Sequence, residues 1–263
     1  MTQSGDLWTG DGCRLAWRSD GPVGAPAVLL GNSLGTTMAM WDDQVAVWAG
    51  RRRIIRFDNR GHGKSGASPA GYAIERLGHD ALAVLDGLGI ARADFVGLSL
   101  GGMVGQWLGF SAPDRIGRLV IANSSARMGP PDSWDARIAA VEAGGTAAIV
   151  PAVIARWFTP EFIASDPAAV TRIERMLRET SPAGYGAACA AIRDMDFRSA
   201  LPAITASTLI IAGERDPATP LEHSRELAEA IPGARLMILP GAHLGNVECT
   251  AAFTRDVGAF LAI

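Results

Sequence analysis

Three kinds of chemically useful residue fall in one order along this chain: a serine inside GLSLGG (97–102), acids inside ERDPATP (214–220) and a histidine inside AHLGN (242–246). Together they could carry acyl transfer. A neutral hydroxyl is a poor nucleophile, so Ser99 would need a base to take its proton and a carboxylate to orient that base. His243 is the candidate base, and Glu214 and Asp216 both offer the carboxylate. Gly97, Gly101 and Gly102 leave room for a sharp strand-to-helix turn at Ser99. Each residue also has a plainer reading. Ser99 could cap an ordinary helix, Asp216 before Pro217 could form a turn, and a lone histidine is often structural. His62, His79 and His223 illustrate that last reading, one in a glycine turn and two on predicted helices. The order Ser, acid, His, each just past a strand, is what favours catalysis over three coincidences.

Acyl transfer also needs hydrogen-bond donors aimed at the oxyanion that develops on the attacked carbonyl. One is expected from the backbone N–H of Leu100, the residue after the nucleophile. The second is expected from the loop GNSLGTTMAMW (31–41), which follows an early strand and can turn its amides inward. Register assigns it to Leu34, with Ser33 the near competitor.

Positioning such residues takes a parallel sheet. Short apolar runs recur at AVLLG (27–31), RIIRFD (53–58), DFVGLS (94–99), RLVIANS (118–124), TLIIAG (208–213) and RLMILPG (235–241). Helix-length periodicity lies between them, as in IERLGHDALAVLDGLG (74–89) and EHSRELAEAI (222–231). This alternation predicts an α/β fold with a mostly parallel central sheet flanked by helices on both faces. The rhythm breaks between Arg127 and Ala200, where helical periods continue without a convincing strand. An insertion there leaves from a strand end, and open α/β sheets bind ligands at the carboxyl ends of their strands, so it reads as a helical lid. The expected organisation is a core domain in two parts, 1–126 and 201–263, with a lid at 127–200.

Composition narrows the function classes. A chain of 263 residues with 48% hydrophobic content can bury a sizeable core. Its net charge is −3, and its one dense basic cluster, RRR at 51–53, runs straight into the apolar strand pattern IIRF. That argues against nucleic acid as a partner. The opening MTQSGDLWTGDGCRL lacks the basic start and apolar centre of a signal peptide, and no stretch approaches the roughly 18 apolar residues of a membrane span. The expected compartment is the cytoplasm. Cys13, Cys189 and Cys249 are odd in number, far apart and in no CxxC arrangement, so they read as packing residues and suggest neither disulfides nor a metal site.

GNSLG, RFDNRGHGKSG (56–66), GLSLGG, GERDP and GAHLGN together resemble the α/β-hydrolase superfamily. Within it, the chain resembles the 3-oxoadipate enol-lactonases through NSLGTTMAMW (32–41), GLSLGGMVGQWLG (97–109), ANSSARMG (122–129), ARWFTPEF (155–162) and GYGAACAAIRDMDF (184–197). Many superfamily members carry His-Gly where this chain has Asn32 and Ser33, and the lactonases resemble it there. The resemblance implies a serine hydrolase that opens the enol-lactone with water, using Ser99, His243 and Asp216 and no metal or organic cofactor. The short side chain before Pro217 also suits Asp216, rather than Glu214, to hold an imidazole. The implied partner is a small lactone bearing a carboxylate, which a buried site must meet with charged donors. The predicted lid offers Arg127, Arg137, Arg156 and Arg193. Arg137 is favoured because Trp134 precedes it by one helical turn and shares its face, with Trp157 a further candidate for the pocket wall. The rival readings are a general esterase or cofactor-free perhydrolase on the same three residues, and a non-hydrolytic ligand receptor.

Overall fold

In the computed structural model, which describes residues 1–68 and 71–263, eight strands form one sheet in the order β1-β2-β4-β3-β5-β6-β7-β8. The strands are β1 (Thr2–Trp8), β2 (Arg14–Asp20), β3 (Ala27–Gly31), β4 (Arg53–Phe57), β5 (Ala93–Leu98), β6 (Ile116–Ala122), β7 (Ser207–Gly213) and β8 (Arg235–Leu239). Pairing is antiparallel from β1 to β2 and from β2 to β4, and parallel from there to β8. Every residue of β4 and β5 is buried. Successive strand residues point to opposite faces, so full burial means that both faces are covered. That is why Ile54 and Ile55 in β4, and Phe95 and Val96 in β5, stand as adjacent apolar residues rather than alternating with polar ones, while the buried Arg53, Arg56 and Asp94 are held by hydrogen bonds and ion pairs. Val28, Leu29 and Leu30 of β3 are fully buried, and each such side chain contributes on the order of 1.5–3 kcal/mol relative to exposure.

Helices α1 (Asp42–Trp48), α2 (Ile74–Gly87) and α3 (Leu100–Ser111) precede β6, and α9 (Leu221–Ala230), α10 (Gly245–Glu248) and α11 (Thr250–Leu261) follow β7. Between β6 and β7 lie α4 (Pro131–Gly144), α5 (Val150–Trp157), α6 (Pro160–Ser165), α7 (Pro167–Glu179) and α8 (Pro182–Asp194). The sequence punctuates this segment with caps. Thr159, Asp166 and Ser181 accept from Phe162, Ala169 and Gly184 N–H groups, and a proline occupies the first helical position after each. The segment leaves and returns at one neck, where Phe197 N–H donates to the Ala126 carbonyl at 2.8 Å and Arg127 faces Asp196 across an isolated bridge.

The six predicted strands coincide with β3–β8 to within about two residues. The hairpin β1–β2 is an addition. Its first strand, TQSGDLW, is exposed along almost its whole length, so it carries no apolar pattern and is held by its ladder to β2. The basic cluster is structural as well: Arg52 pairs with Asp94 at 2.6 Å and Arg53 donates to Ser19 Oγ at 3.2 Å. Among the described residues no helix is long and apolar enough to cross a membrane.

Candidate active site

Ser99 joins β5 to α3. It stands at the N-cap position of α3, yet its side chain makes no capping hydrogen bond. Its backbone has φ 56° and ψ −114°, a region costly for any residue with a Cβ, of order 1–3 kcal/mol. Surrounding packing holds it there. A Cβ built on Gly97 would stand 2.1 Å from the Gly101 carbonyl oxygen, and one on Gly101 would stand 2.1 Å from that of Gly31. Only glycine allows β3, β5 and the start of α3 to approach so closely. Ser99 N–H donates to the Ala122 carbonyl at 2.8 Å, and Ser124 Oγ donates to the Ser99 carbonyl at 2.8 Å. Strain of this kind, over-determined by its neighbours, presents one hydroxyl at the carboxyl end of the sheet.

The ends of β7 and β8, beyond β6, hold the candidate acid and base. Asp216 follows β7 and His243 follows β8, and His243 Nδ1 lies 2.8 Å from Asp216 Oδ2 in a buried setting. Glu214 is exposed and stands outside this pair. The carboxylate is fully engaged: Oδ1 accepts the Ala218 and Thr219 N–H groups at 2.8 and 3.0 Å, and Oδ2 also accepts Thr219 Oγ1 at 2.6 Å and Asn123 Nδ2 at 3.0 Å. Burial alone would raise the Asp216 pKa. The charge of His243 and these donors outweigh it, so the carboxyl is held below its ordinary value. An acceptor-only carboxylate fixes the imidazole with Nδ1 protonated and leaves Nε2 as the free basic nitrogen.

The second donor is expected in the loop after β3. Ser33 N–H faces Met40 Sδ at 3.4 Å and Gly35 N–H donates to His62 Nε2 at 3.0 Å, while Leu34 N–H between them meets no protein acceptor among the described residues. Leu100 is the first residue of α3, so its N–H has no acceptor within the helix. Both amides are therefore open to a ligand. His62 Nδ1 lies 3.1 Å from the Arg60 carbonyl, which assigns the proton to Nδ1 and lets Nε2 accept from Gly35. Burial lowers its pKa to about 4, because a charged imidazole there would lose water without gaining a carboxylate.

A cavity of about 210 Å³ opens over these groups, and Ser33, Leu34, Ser99 and His243 line its sheet side. Trp134, Arg137, Arg156, Trp157 and Tyr185 line it from the helical segment. The Arg137 guanidinium sits 4.8 Å from the Trp134 ring centroid. The four arginines separate by their partners. Arg127 faces Asp196 at 3.8 Å, and Arg193 pairs with Asp135 at 2.5 Å and Asp194 at 2.7 Å. Arg137 and Arg156 have no carboxylate partner among the described residues. Burial first, and then the charge of Arg137, pushes the Arg156 pKa down.

The structure thus brings Ser99, Asp216, His243, Leu34, Trp134, Arg137 and Trp157 to one region, with Leu100 beside Ser99. Sequence reading passed over Asn123, Thr219 and Tyr185 and gave Arg156 no weight above the other arginines. A threonine three residues after an aspartate in a turn is a signal for Thr219. Nothing local marks Asn123, whose position depends on where three strands end.

Fold, strained turn and cavity define a hydrolase of the α/β-hydrolase family, and the chain belongs to that family: the family model described as alpha/beta hydrolase fold matches residues 26–248. The chain is 36% identical over 256 residues to 3-oxoadipate enol-lactonase 2 of Acinetobacter baylyi, covering 97% of this chain and 96% of that one. The crystal structure of the enol-lactonase from Burkholderia xenovorans superposes with a TM-score of 0.95 at 39% identity, covering 98% of this chain and 100% of the other. A Variovorax paradoxus protein assigned as the carbamate hydrolase RutD is 33% identical over 261 residues, covering 94% of this chain and 96% of its own.

Proposed function

We propose that this protein opens the enol-lactone of 3-oxoadipate with water, giving 3-oxoadipate in the breakdown of aromatic acids. Ser99 Oγ attacks the ring carbonyl as His243 Nε2 takes its proton, and Asp216 holds the imidazole and stabilises the imidazolium. The Leu34 and Leu100 N–H groups hold the oxyanion. Collapse of the tetrahedral intermediate breaks the ring C–O bond and leaves an acyl-enzyme. The expelled enolate takes the proton from the His243 imidazolium, which restores the neutral base, and the enol tautomerises to the ketone, so it is a better leaving group than an alkoxide. Water, deprotonated by His243, then attacks the acyl carbonyl, and the imidazolium returns the proton to Ser99 Oγ. Residues 127–200 act as a lid that closes over the ring.

One observation carries the choice of an acidic substrate. Two arginines without an acidic partner among the described residues, Arg137 and Arg156, line the cavity that also holds Ser99 and His243. Two cations beside each other are unfavourable until an anion joins them, and a guanidinium can meet a carboxylate with two parallel hydrogen bonds. Trp134 and Trp157 then bound the apolar ring. The identity with enol-lactonases across nearly the whole chain supports the same reading.

The test is turnover by the purified protein of the enol-lactone and of a short neutral aryl ester. A kcat/KM for the lactone at least about a hundredfold above that for the ester is expected from the loss of one charged contact. Preference for the neutral ester would make it a general esterase, and turnover of neither would make it a receptor.

A further inference from the structure

Asn123 is the first residue after β6, is 1% exposed and has φ 46°, a left-handed conformation that asparagine tolerates better than most residues. Its contacts reach two neighbouring strand ends. The backbone N–H donates to the Ile211 carbonyl in β7 at 2.7 Å. The side-chain Nδ2 donates to Asp216 Oδ2 at 3.0 Å and to the Ala242 carbonyl at 3.2 Å. Ala242 directly precedes His243. The amide cannot be turned over, because Oδ1 would then face two acceptors. As it stands, Oδ1 is buried without a partner among the described residues, an arrangement that costs stability and persists only if the other end of the amide is worth more.

We infer that Asn123 is a positioning residue for the acid and the base: one primary amide ties the loop that carries Asp216 to the residue before His243, and so fixes the imidazole's distance from the carboxylate. This rests on the proposed roles of Ser99, His243 and Asp216. Thr219 and the turn amides hold Asp216 from within its own loop. Arg215 N–H donates to the Gly241 carbonyl at 3.0 Å and Thr219 Oγ1 lies 3.4 Å from His243 Nδ1, and to these Asn123 adds one amide that bridges the carboxylate itself to the Ala242 carbonyl. A dipole alone would serve to orient; a second charge there would not, because two carboxylates about 3 Å apart in a buried site stabilise the protonated imidazole.

Two variants test this, because both Gly and Asp accept positive φ. Asn123→Gly removes the amide and leaves the backbone free. Asn123→Asp keeps the shape and adds charge. In Asn123→Gly, kcat is expected to fall about tenfold to a hundredfold, the scale of one hydrogen bond to a charged group, with KM within about twofold. In Asn123→Asp, the acidic limb of kcat/KM against pH is expected to move upward by about one unit or more. The charged groups around the pair are Arg137 and Arg156 across the cavity and Glu248 on α10, whose carboxylate accepts from Ala242 N–H at 2.8 Å. All three are unchanged in both variants, so the movement reports on Asn123. The inference is overturned if Asn123→Asp leaves the pH profile in place, and that variant decides alone if Asn123→Gly does not fold. The profile is measured on whichever ester or lactone the parent turns over. A parent enzyme that needs no Ser99 would sink the proposed chemistry instead.

Discussion

The Arg137 guanidinium lies 4.8 Å above the Trp134 ring, one helical turn away on α4, and both side chains face the cavity that holds Ser99. Stacking on an indole steadies the cation by roughly 0.5–1 kcal/mol without consuming its N–H donors. On the proposed function, the substrate carboxylate would meet the guanidinium edge. Arg156 reaches the same cavity from α5, so the charge in the pocket comes from two elements.

Replacing Ser99 by Ala keeps the Cβ and the strained backbone and removes only the hydroxyl. Turnover should fall by several orders of magnitude with an unchanged thermal midpoint, since removal of a nucleophile costs about that much. Steady-state rates on rigorously purified protein check this, and activity within about tenfold of the parent would remove Ser99 from the mechanism.

Asp216 and Glu214 are two residues apart but face differently, one buried against His243 and the other exposed. Asp216→Asn should lower kcat by about a thousandfold or more, because an amide can hold the imidazole in the wrong tautomer. Glu214→Gln should leave the rate within about twofold. Measured side by side, a larger loss in the second variant would assign the acid to Glu214.

His62 links acid pH to the loop that carries Leu34. Its folded pKa, about 4, lies below the ordinary histidine value of 6.5, so the folded protein disfavours the proton that the unfolded chain accepts. Stability should be fully present above about pH 6.5 and decline as pH falls toward 4, by up to about 3 kcal/mol. Protonation at Nε2 would also forfeit the bond from Gly35 N–H. The difference in unfolding free energy between parent and His62→Gln, followed from pH 7 to 4, isolates this contribution; a pH-independent difference would refute it.

The strands that sequence displays are those built on apolar runs, most of them buried, although β8 carries such a run while largely exposed. In β5, every residue of ADFVGL is buried, and apart from Asp94, which pairs with Arg52, the run is apolar for that reason. In β1, Thr2 to Trp8 pair with β2 but stay exposed, so hydrogen bonding decides and leaves no hydrophobic trace. The candidate site divides in the same way. Ser99, Asp216 and His243 each follow an apolar strand, which made them readable in order. Asn123 also follows one, but its role depends on the distance between the Asp216 and His243 loops. The arginines are alike in sequence, and only packing shows that Arg193 is taken by Asp135 and Asp194 whereas Arg137 and Arg156 are not. Local spacing linked Arg137 to Trp134, yet it could not bring α5 across to join them.

On the proposed function, these two arginines give the pocket its selection for a substrate bearing a carboxylate. This role is tested most directly by kcat/KM of Arg137→Met and Arg156→Met on the enol-lactone and on a neutral aryl ester. Each variant is predicted to lose about tenfold to a thousandfold on the lactone, the scale of one charged hydrogen bond, and to stay within about twofold on the ester. Equal losses on both substrates, or no loss on the lactone, would contradict it.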